Sequence, residues 1–344
     1  LLDTGSFEEI GRFRGGDING GKAGSAVITG FGDVYGRKIA VYAQDFSVRG
    51  ARWVVPKAED LHLMDMALDL KVPIVAIVDS GGARIQEGVA ALTQYGHIFR
   101  KTCDAALVPQ ISLFWVRAPA RVYCPALTDL IVMTKENSDM FVTGPDVVKA
   151  ATGETISMND LGGGLVHSTK SGVAHYLGED EADAIDYART VLAYLPSNSD
   201  AQPPMYAYAA TRADRETAKR LTDIVPDNDR QPYDVLDVIR CIVHGEFVQV
   251  HELFATSAVV GFACIDGRPI GVVANQPNVR AGILDVDASE KVARFVRLCD
   301  SFNLPVITLV DTPNKPGADQ EHAGIIRRGA KVIYANATGA EWSE

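Results

Sequence analysis

Residues 26–41 and 258–273 carry the same pattern, and a chain that contains itself twice is held to a duplicated fold. The first copy reads Ala26-Val27-Ile28-Thr29-Gly30-Phe31-Gly32-Asp33-Val34-Tyr35-Gly36-Arg37-Lys38-Ile39-Ala40-Val41. The second reads Ala258-Val259-Val260-Gly261-Phe262-Ala263-Cys264-Ile265-Asp266-Gly267-Arg268-Pro269-Ile270-Gly271-Val272-Val273. Each reads as a β-hairpin, with the first turn expected at Gly36-Arg37. A Gly-containing loop follows each hairpin, Gly50-Ala51 and Ala281-Gly282, and then an amphipathic helix at about 59–70 and about 288–302. Lys71-Val72-Pro73 and Leu304-Pro305 then open strands that end at Asp79 and Asp311. A constant 232 residues separates Asp79 from Asp311 and Pro73 from Pro305. A fixed offset between matching elements implies two similar domains.

These spacings define an α/β fold with domains at 1–195 and 233–344. The linker between them, 196–232, is rich in breakers: Pro196-Ser197-Asn198-Ser199, Gln202-Pro203-Pro204 and Asp227-Asn228-Asp229-Arg230-Gln231-Pro232. A helix is expected over Glu179–Tyr194 and a short one within 207–221. Copy one continues into a strand at Pro109-Gln110-Ile111-Ser112-Leu113-Phe114 and a loop at 115–125. Copy two reaches Tyr334-Ala335-Asn336-Ala337 without a counterpart, so the second domain is expected to be incomplete.

A chain of 344 residues is long enough for two cores. Its net charge of −11 argues against nucleic acid or an anionic membrane as partner, and no apolar run is long enough to span a bilayer. The five cysteines (Cys103, Cys124, Cys241, Cys264, Cys299) are scattered with no Cys-x-x-Cys, which fits reduced thiols in the cytoplasm and gives no zinc site. His167 and His175 lack a carboxylate at ligand spacing and read as structural, so no metal is expected. Leu1-Leu2-Asp3, with neither initiator Met nor signal peptide, reads as a trimmed start. Gly162-Gly163-Gly164 reads as a flexible turn.

The chemistry concentrates at 72–88. The β-branched run Val72–Val78 is a buried strand, Asp79-Ser80-Gly81-Gly82 stops it, and a helix follows. Backbone N–H groups at such a helix start favour a phosphate or a developing oxyanion.

As a string, Asp-Ser-Gly-Gly-Ala-Arg-Ile-Gln-Glu-Gly (79–88) resembles the carboxyltransferase (β) subunits of biotin-dependent acyl-CoA carboxylases, such as propionyl-CoA carboxylase, and related acyl-CoA decarboxylases. The resemblance continues at Tyr123-Cys124-Pro125-Ala126-Leu127-Thr128-Asp129, at 140–148, at Ser171-Gly172-Val173-Ala174-His175, at Ala274-Asn275-Gln276-Pro277, at 293–300 and at Asp319-Gln320-Glu321. It implies a crotonase-type ββα spiral in each copy. It further implies transfer of a carboxyl group from carboxybiotin, carried on a biotin carboxylase or carrier partner, to a short acyl-CoA. The acyl-CoA would bind domain one and biotin domain two of a homo-oligomer, a dimer or hexamer.

The resemblance assigns substrate contacts to Gly81, Gly82, Ala83, Arg84, Gly50, Ala51, Arg52, Arg121 and Tyr123, and the oxyanion hole to Ala118, Pro119 and Ala120. The family's hole reads roughly Ala-Gly-Gly-Ala-Val-Tyr-Ser-Pro-Ala, whereas this chain reads Ala118-Pro119-Ala120-Arg121-Val122-Tyr123-Cys124-Pro125-Ala126. Proline has no N–H to donate. The family's second hole, a Gly-Gly-Ala-Tyr segment, would fall beyond Ala337. Arg49, Arg52, Arg117 and Arg121 add positive charge that suits an anionic group. Two alternatives follow from these departures: a biotin-independent decarboxylase or tailoring enzyme for a non-CoA carboxylic acid, and a catalytically degenerate assembly partner.

Overall fold

Both copies of the repeat fold as hairpin, helix and strand. The computed structural model describes residues 1–11, 26–47, 59–81, 89–116, 122–209, 211–228, 231–313 and 317–339. Contacts group Leu1–Leu192 as one unit and Ala193–Glu344 as a second, so 196–232 falls with the second unit.

The described strands of the first unit lie side by side in chain order: β1 (Glu8–Ile10), β2 (Val27–Val34), β3 (Arg37–Gln44), β4 (Ile74–Val78), β5 (Gln110–Phe114), β6 (Leu130–Thr134) and β7 (Tyr176–Gly178). β1, β2 and β3 pair antiparallel, and β3 through β7 pair parallel. β4 (Ile-Val-Ala-Ile-Val), β5 (Gln-Ile-Ser-Leu-Phe) and β6 (Leu-Ile-Val-Met-Thr) are buried at nearly every position. Continuous runs rather than alternation are what parallel strands covered on both faces require. Leu63, Met64 and Ala67 of helix Glu59–Leu70 pack with Ala40, Tyr42, Ile74, Ala76 and Phe114 in one core. Each large apolar side chain buried there contributes about 1.5–3 kcal/mol.

The second unit has β8 (His244–Val250), β9 (Ala258–Ile265), β10 (Arg268–Asn275) and β11 (Val306–Leu309), in the order β11-β10-β9-β8. β8, β9 and β10 pair antiparallel and β10–β11 is parallel. Helix Val286–Ser301 buries Val292, Phe295, Val296 and Cys299.

The two copies agree in detail. Val34 pairs with Arg37 and Ile265 with Arg268, so the turns are Tyr35-Gly36 and Asp266-Gly267, one residue earlier than expected. Their φ values are 52° and 71°, and 49° and 73°. A two-residue turn with both φ positive is type I′, whose twist matches the flanking strands; here glycine takes its second position rather than its first. At the helix exits, Lys71 (φ 54°) and Asn303 (φ 56°) are left-handed. Val72 N–H donates to Ala67 O at 3.0 Å, and Leu304 N–H donates to Cys299 O at 2.9 Å. These are Schellman closures, each followed by a proline that cannot continue the helix. Ala40 N–H and Gly271 N–H then donate to Pro73 O and Pro305 O, both at 2.8 Å.

Gly162-Gly163-Gly164 is not a flexible turn. Gly162 ends helix Met158–Gly162, Gly163 bridges to Asp139, and Gly164 opens the next helical turn. A Cβ on Gly162 would sit 2.9 Å from Met140 C, and one on Gly164 2.5 Å from Thr134 O, so close backbone packing is the reason for these glycines. The expected helices occupy Glu181–Tyr194 and Arg212–Lys219, the latter opened by a Thr211–Asp214 capping box. Among the described residues, no helix is long and apolar enough to cross a membrane.

Candidate functional site

Three neighbouring parallel strands of the first unit end at one edge of the sheet. Ala43 pairs with Ile77 and Val78 with Phe114, so the chain leaves β3, β4 and β5 at the same carboxyl edge. Ligands of open α/β sheets bind outside this edge. Gly81 is half-buried there, and Ser80 beside it is fully buried. Tyr123 opens the short helix Tyr123–Ala126, is 57 % exposed, and meets Phe99 edge-on with ring centroids 6.5 Å apart. Gly50, Ala51, Arg52, Gly82, Ala83, Arg84, Ala118, Pro119, Ala120 and Arg121 lie outside the described residues.

The described framework of this edge is rigidly bonded. Trp115 N–H donates to Val78 O (3.0 Å), Asp139 N–H to Val116 O (2.7 Å) and Met140 N–H to Gly162 O (2.7 Å). Ser138 Oγ donates to Phe114 O and accepts from Thr134 N–H. Burial pushes the Asp79 carboxyl above its usual range, and the nearby carboxylates of Asp45 and Glu181 add to the shift. His167 bridges Met140 O through Nε2 and Ser171 Oγ through Nδ1, the latter at 2.7 Å, while His175 Nδ1 accepts Ile131 N–H at 3.0 Å. Both histidines brace backbone, and no group of potential metal ligands occurs among the described residues.

The second unit repeats this edge and adds a cleft of about 410 Å³, lined by residues of 225–233, by Pro277 and Ala281 after β10, and by Asp311–Pro313 after β11. The Ala274-Asn275-Gln276-Pro277 motif organises it. Asn275 Nδ2 donates to Gly282 O (2.8 Å) and its Oδ1 accepts Asp311 N–H (3.2 Å), tying the two post-strand loops together. Gln276 Nε2 donates to Asp234 Oδ1 (2.7 Å), and its Oε1 accepts Val235 and Asn278 N–H (both 3.3 Å). Tyr233 O–H donates to Asp311 Oδ2 at 2.9 Å; burial and this bond raise the phenol to about 12.

Arg280, Ala281 and Gly282 form a left-handed turn at the cleft wall, with φ of 49°, 54° and 72°. For the two residues with side chains this conformation costs roughly 1–2 kcal/mol each. Only glycine fits at 282, since a Cβ would lie 2.5 Å from Asp311 O. Tyr233 and the 225–233 wall escaped the sequence reading because they sit in the breaker-rich segment, and their contact with Asp311 spans 78 residues.

A hairpin-helix-strand unit built twice is the crotonase-like architecture of carboxyltransferases. The solved transcarboxylase 12S, a hexamer determined with methylmalonyl-coenzyme A and methylmalonic acid bound, superimposes with a TM-score of 0.92 at 40% identity, covering 98% of this chain and 66% of that one. The carboxyl transferase domain model matches residues 1–340, and the chain belongs to that family. Among curated relatives, the propionyl-CoA carboxylase beta chain of Saccharopolyspora erythraea is 48% identical over 98% of this chain and 65% of its own length. The methylmalonyl-CoA decarboxylase subunit alpha of Veillonella parvula is 43% identical over 97% of this chain and 68% of its own. The chain thus spans about two thirds of the length of the relatives it matches.

Proposed function

We propose that this chain provides the acyl-CoA and biotin sites of a carboxyltransferase that moves a carboxyl group from carboxybiotin, on a partner carrier protein, to the α-carbon of a short acyl-CoA. The observation that carries this reading is the likeness, over nearly the whole chain, to a propionyl-CoA carboxylase beta chain. In this reading residues 1–195 bind acyl-CoA, 233–344 face biotin, 196–232 join them, and the protein acts as a cytoplasmic dimer or hexamer.

The cleft of the second unit suits a biotin head group. A cyclic urea presents two N–H donors and one carbonyl on a compact apolar bicycle. The cleft offers Val225, Pro226, Pro232, Pro277 and Pro313 as apolar wall and the Asp311 carboxylate as acceptor. When bound, carboxybiotin supplies the activated carboxyl group. Asp311 would hold the group by accepting from a ring N–H, Tyr233 keeps that carboxylate in place, and the proline wall would exclude water. In the first unit, Gly81, Gly82, Ala83, Arg84, Gly50, Ala51, Arg52, Arg121 and Tyr123 seat the thioester and CoA. Backbone donors at Ala118 and Ala120 stabilise the enolate oxygen, and Pro119 contributes none.

The test is to incubate the purified protein with carboxybiotinylated carrier and propionyl-CoA and to measure methylmalonyl-CoA. Carrier-dependent product is expected. Absence of transfer, with carrier-independent loss of carbon dioxide from a carboxylic acid, overturns the assignment. That outcome is the second reading, a biotin-independent decarboxylase, and the replacement of the family's glycine pair by Pro119-Ala120 is the observation that favours it.

A further inference from the structure

Among the described residues, one charged side chain of the second unit is buried with no carboxylate bonded to it. Lys291, on helix Val286–Ser301, is 1 % exposed. Its Nζ, with three N–H donors, lies within hydrogen-bond distance of four backbone carbonyls from the end of β8 to the start of β9: His251 O at 2.9 Å, Phe254 O at 2.7 Å, Ala258 O at 2.7 Å and Ala255 O at 3.4 Å. The turn is shaped to converge them. His251 (φ 54°) and Ala255 (φ 44°) are both left-handed, and Phe254 N–H and Ala258 N–H close onto His251 O (3.1 Å) and Ala255 O (3.0 Å). A ring of backbone carbonyls is how proteins replace the hydration shell of a monovalent cation. Burial lowers the Lys291 pKa to about 7, and the negative charge of Glu252 opposes it.

The caged turn reaches the cleft. Ser257, inside it, accepts Gln276 N–H on its carbonyl at 2.9 Å. Gln276 in turn holds Asp234 and Val235 next to Tyr233 on one wall, and Asn278 before the left-handed turn on the other. An isolated buried ammonium is costly, and helix Val286–Ser301 could fill the same volume with methionine without that cost.

We propose that Lys291 is a built-in monovalent cation that positions the cleft of the second unit through the 251–258 turn and Gln276. Its cation role stands on the cage alone; its positioning role rests on the reading of the cleft as a ligand site.

The experiment uses the whole chain at about pH 6, where the ammonium is charged, and compares wild type, Lys291→Met and Lys291→Ala. Amide exchange followed by mass spectrometry should accelerate about tenfold or more over 251–258 and 275–282 in the Met variant, with β2–β4 of the first unit unchanged. In the Ala variant, methylammonium or potassium chloride should slow exchange over 251–258 and raise the melting temperature, whereas choline chloride at equal ionic strength should not. If Lys291→Ala does not fold, the Met variant's exchange map decides. Unchanged exchange at 275–282 overturns the positioning role, and indifference of the Ala variant to small cations overturns the cation role. Binding of free biotin, measured by calorimetry, should weaken in the Met variant. If wild type does not bind biotin, the reading of the cleft falls, while the exchange and rescue results still decide Lys291.

Discussion

Substituting alanine for glycine at the two hairpin turns separates backbone conformation from packing, because the repeat supplies its own control. Gly36 and Gly267 occupy the same turn position with φ of 71° and 73°. Alanine pays the left-handed penalty of roughly 1–2 kcal/mol at either. Around Gly36 no atom of the described residues beyond its chain neighbours lies within 4 Å of the new Cβ, so no packing is lost. At Gly267 the Cβ would fall on the Tyr206 carbonyl oxygen, 2.9 Å from its carbonyl carbon. The 205–208 backbone must move, which breaks the 2.8 Å bond from Tyr206 N–H to Gly267 O and disturbs the stack of Tyr208 on His244, with centroids 4.0 Å apart. Overpacking costs about 1–3 kcal/mol and a lost hydrogen bond about 0.5–1.5 kcal/mol. Gly267→Ala should therefore cost about 2.5–6.5 kcal/mol, against about 1–2 kcal/mol for Gly36→Ala. Native-state amide exchange in the peptides spanning β2–β3 and β9–β10 measures each hairpin separately, which global unfolding of a two-unit chain does not. Equal losses at the two glycines would refute the packing argument.

Four further outcomes are expected. Gly282→Ala should destabilise the second unit by about 2–5 kcal/mol in urea titrations, since it combines the left-handed penalty with a backbone clash; a change under about 0.5 kcal/mol contradicts this. Tyr233→Phe and Asp311→Asn should each weaken free-biotin binding with little loss of stability, and unaltered affinity in both removes the proposed polar contact. Restoring Gly-Gly at 119–120 should raise carboxyl transfer by about a hundred- to a thousand-fold if a missing oxyanion donor limits the rate; a fall in activity favours the decarboxylase reading. The Asp214 carboxyl, held down to about 2 by the Thr211 hydroxyl and N–H and by Tyr208, has a folded pKa below its unfolded one. Its contribution is therefore complete above about pH 4 and lost as pH falls toward 2, so the stability gap between wild type and Asp214→Asn should be constant near neutrality and close in acid, as read from exchange in Arg212–Lys219.

Features set by near neighbours in the chain were legible without coordinates. Alternating apolar residues around a Gly turn specify a hairpin, a proline two residues past a left-handed cap ends a helix, and unbroken β-branched runs mark strands buried on both faces. These rules gave the repeat and the fold class, while the resemblance of strings such as 79–88 gave the family. They misplaced the hairpin turns by one residue, because the pattern marks a turn while φ at Tyr35 and Asp266 sets its type. Contacts that bring distant segments together carry no such signature. Gly162–Gly164 looks like a loose turn until Met140 and Thr134 are seen packed on it. Tyr233 finds Asp311 across 78 residues, and Lys291 finds the carbonyls of His251 to Ala258. Local sequence determined the unit that was duplicated, since secondary structure and turns answer to residues a few positions apart. Tertiary structure alone decided which polar groups meet at the second unit's cleft, since burial forces hydrogen-bonding groups to find partners wherever the fold brings them.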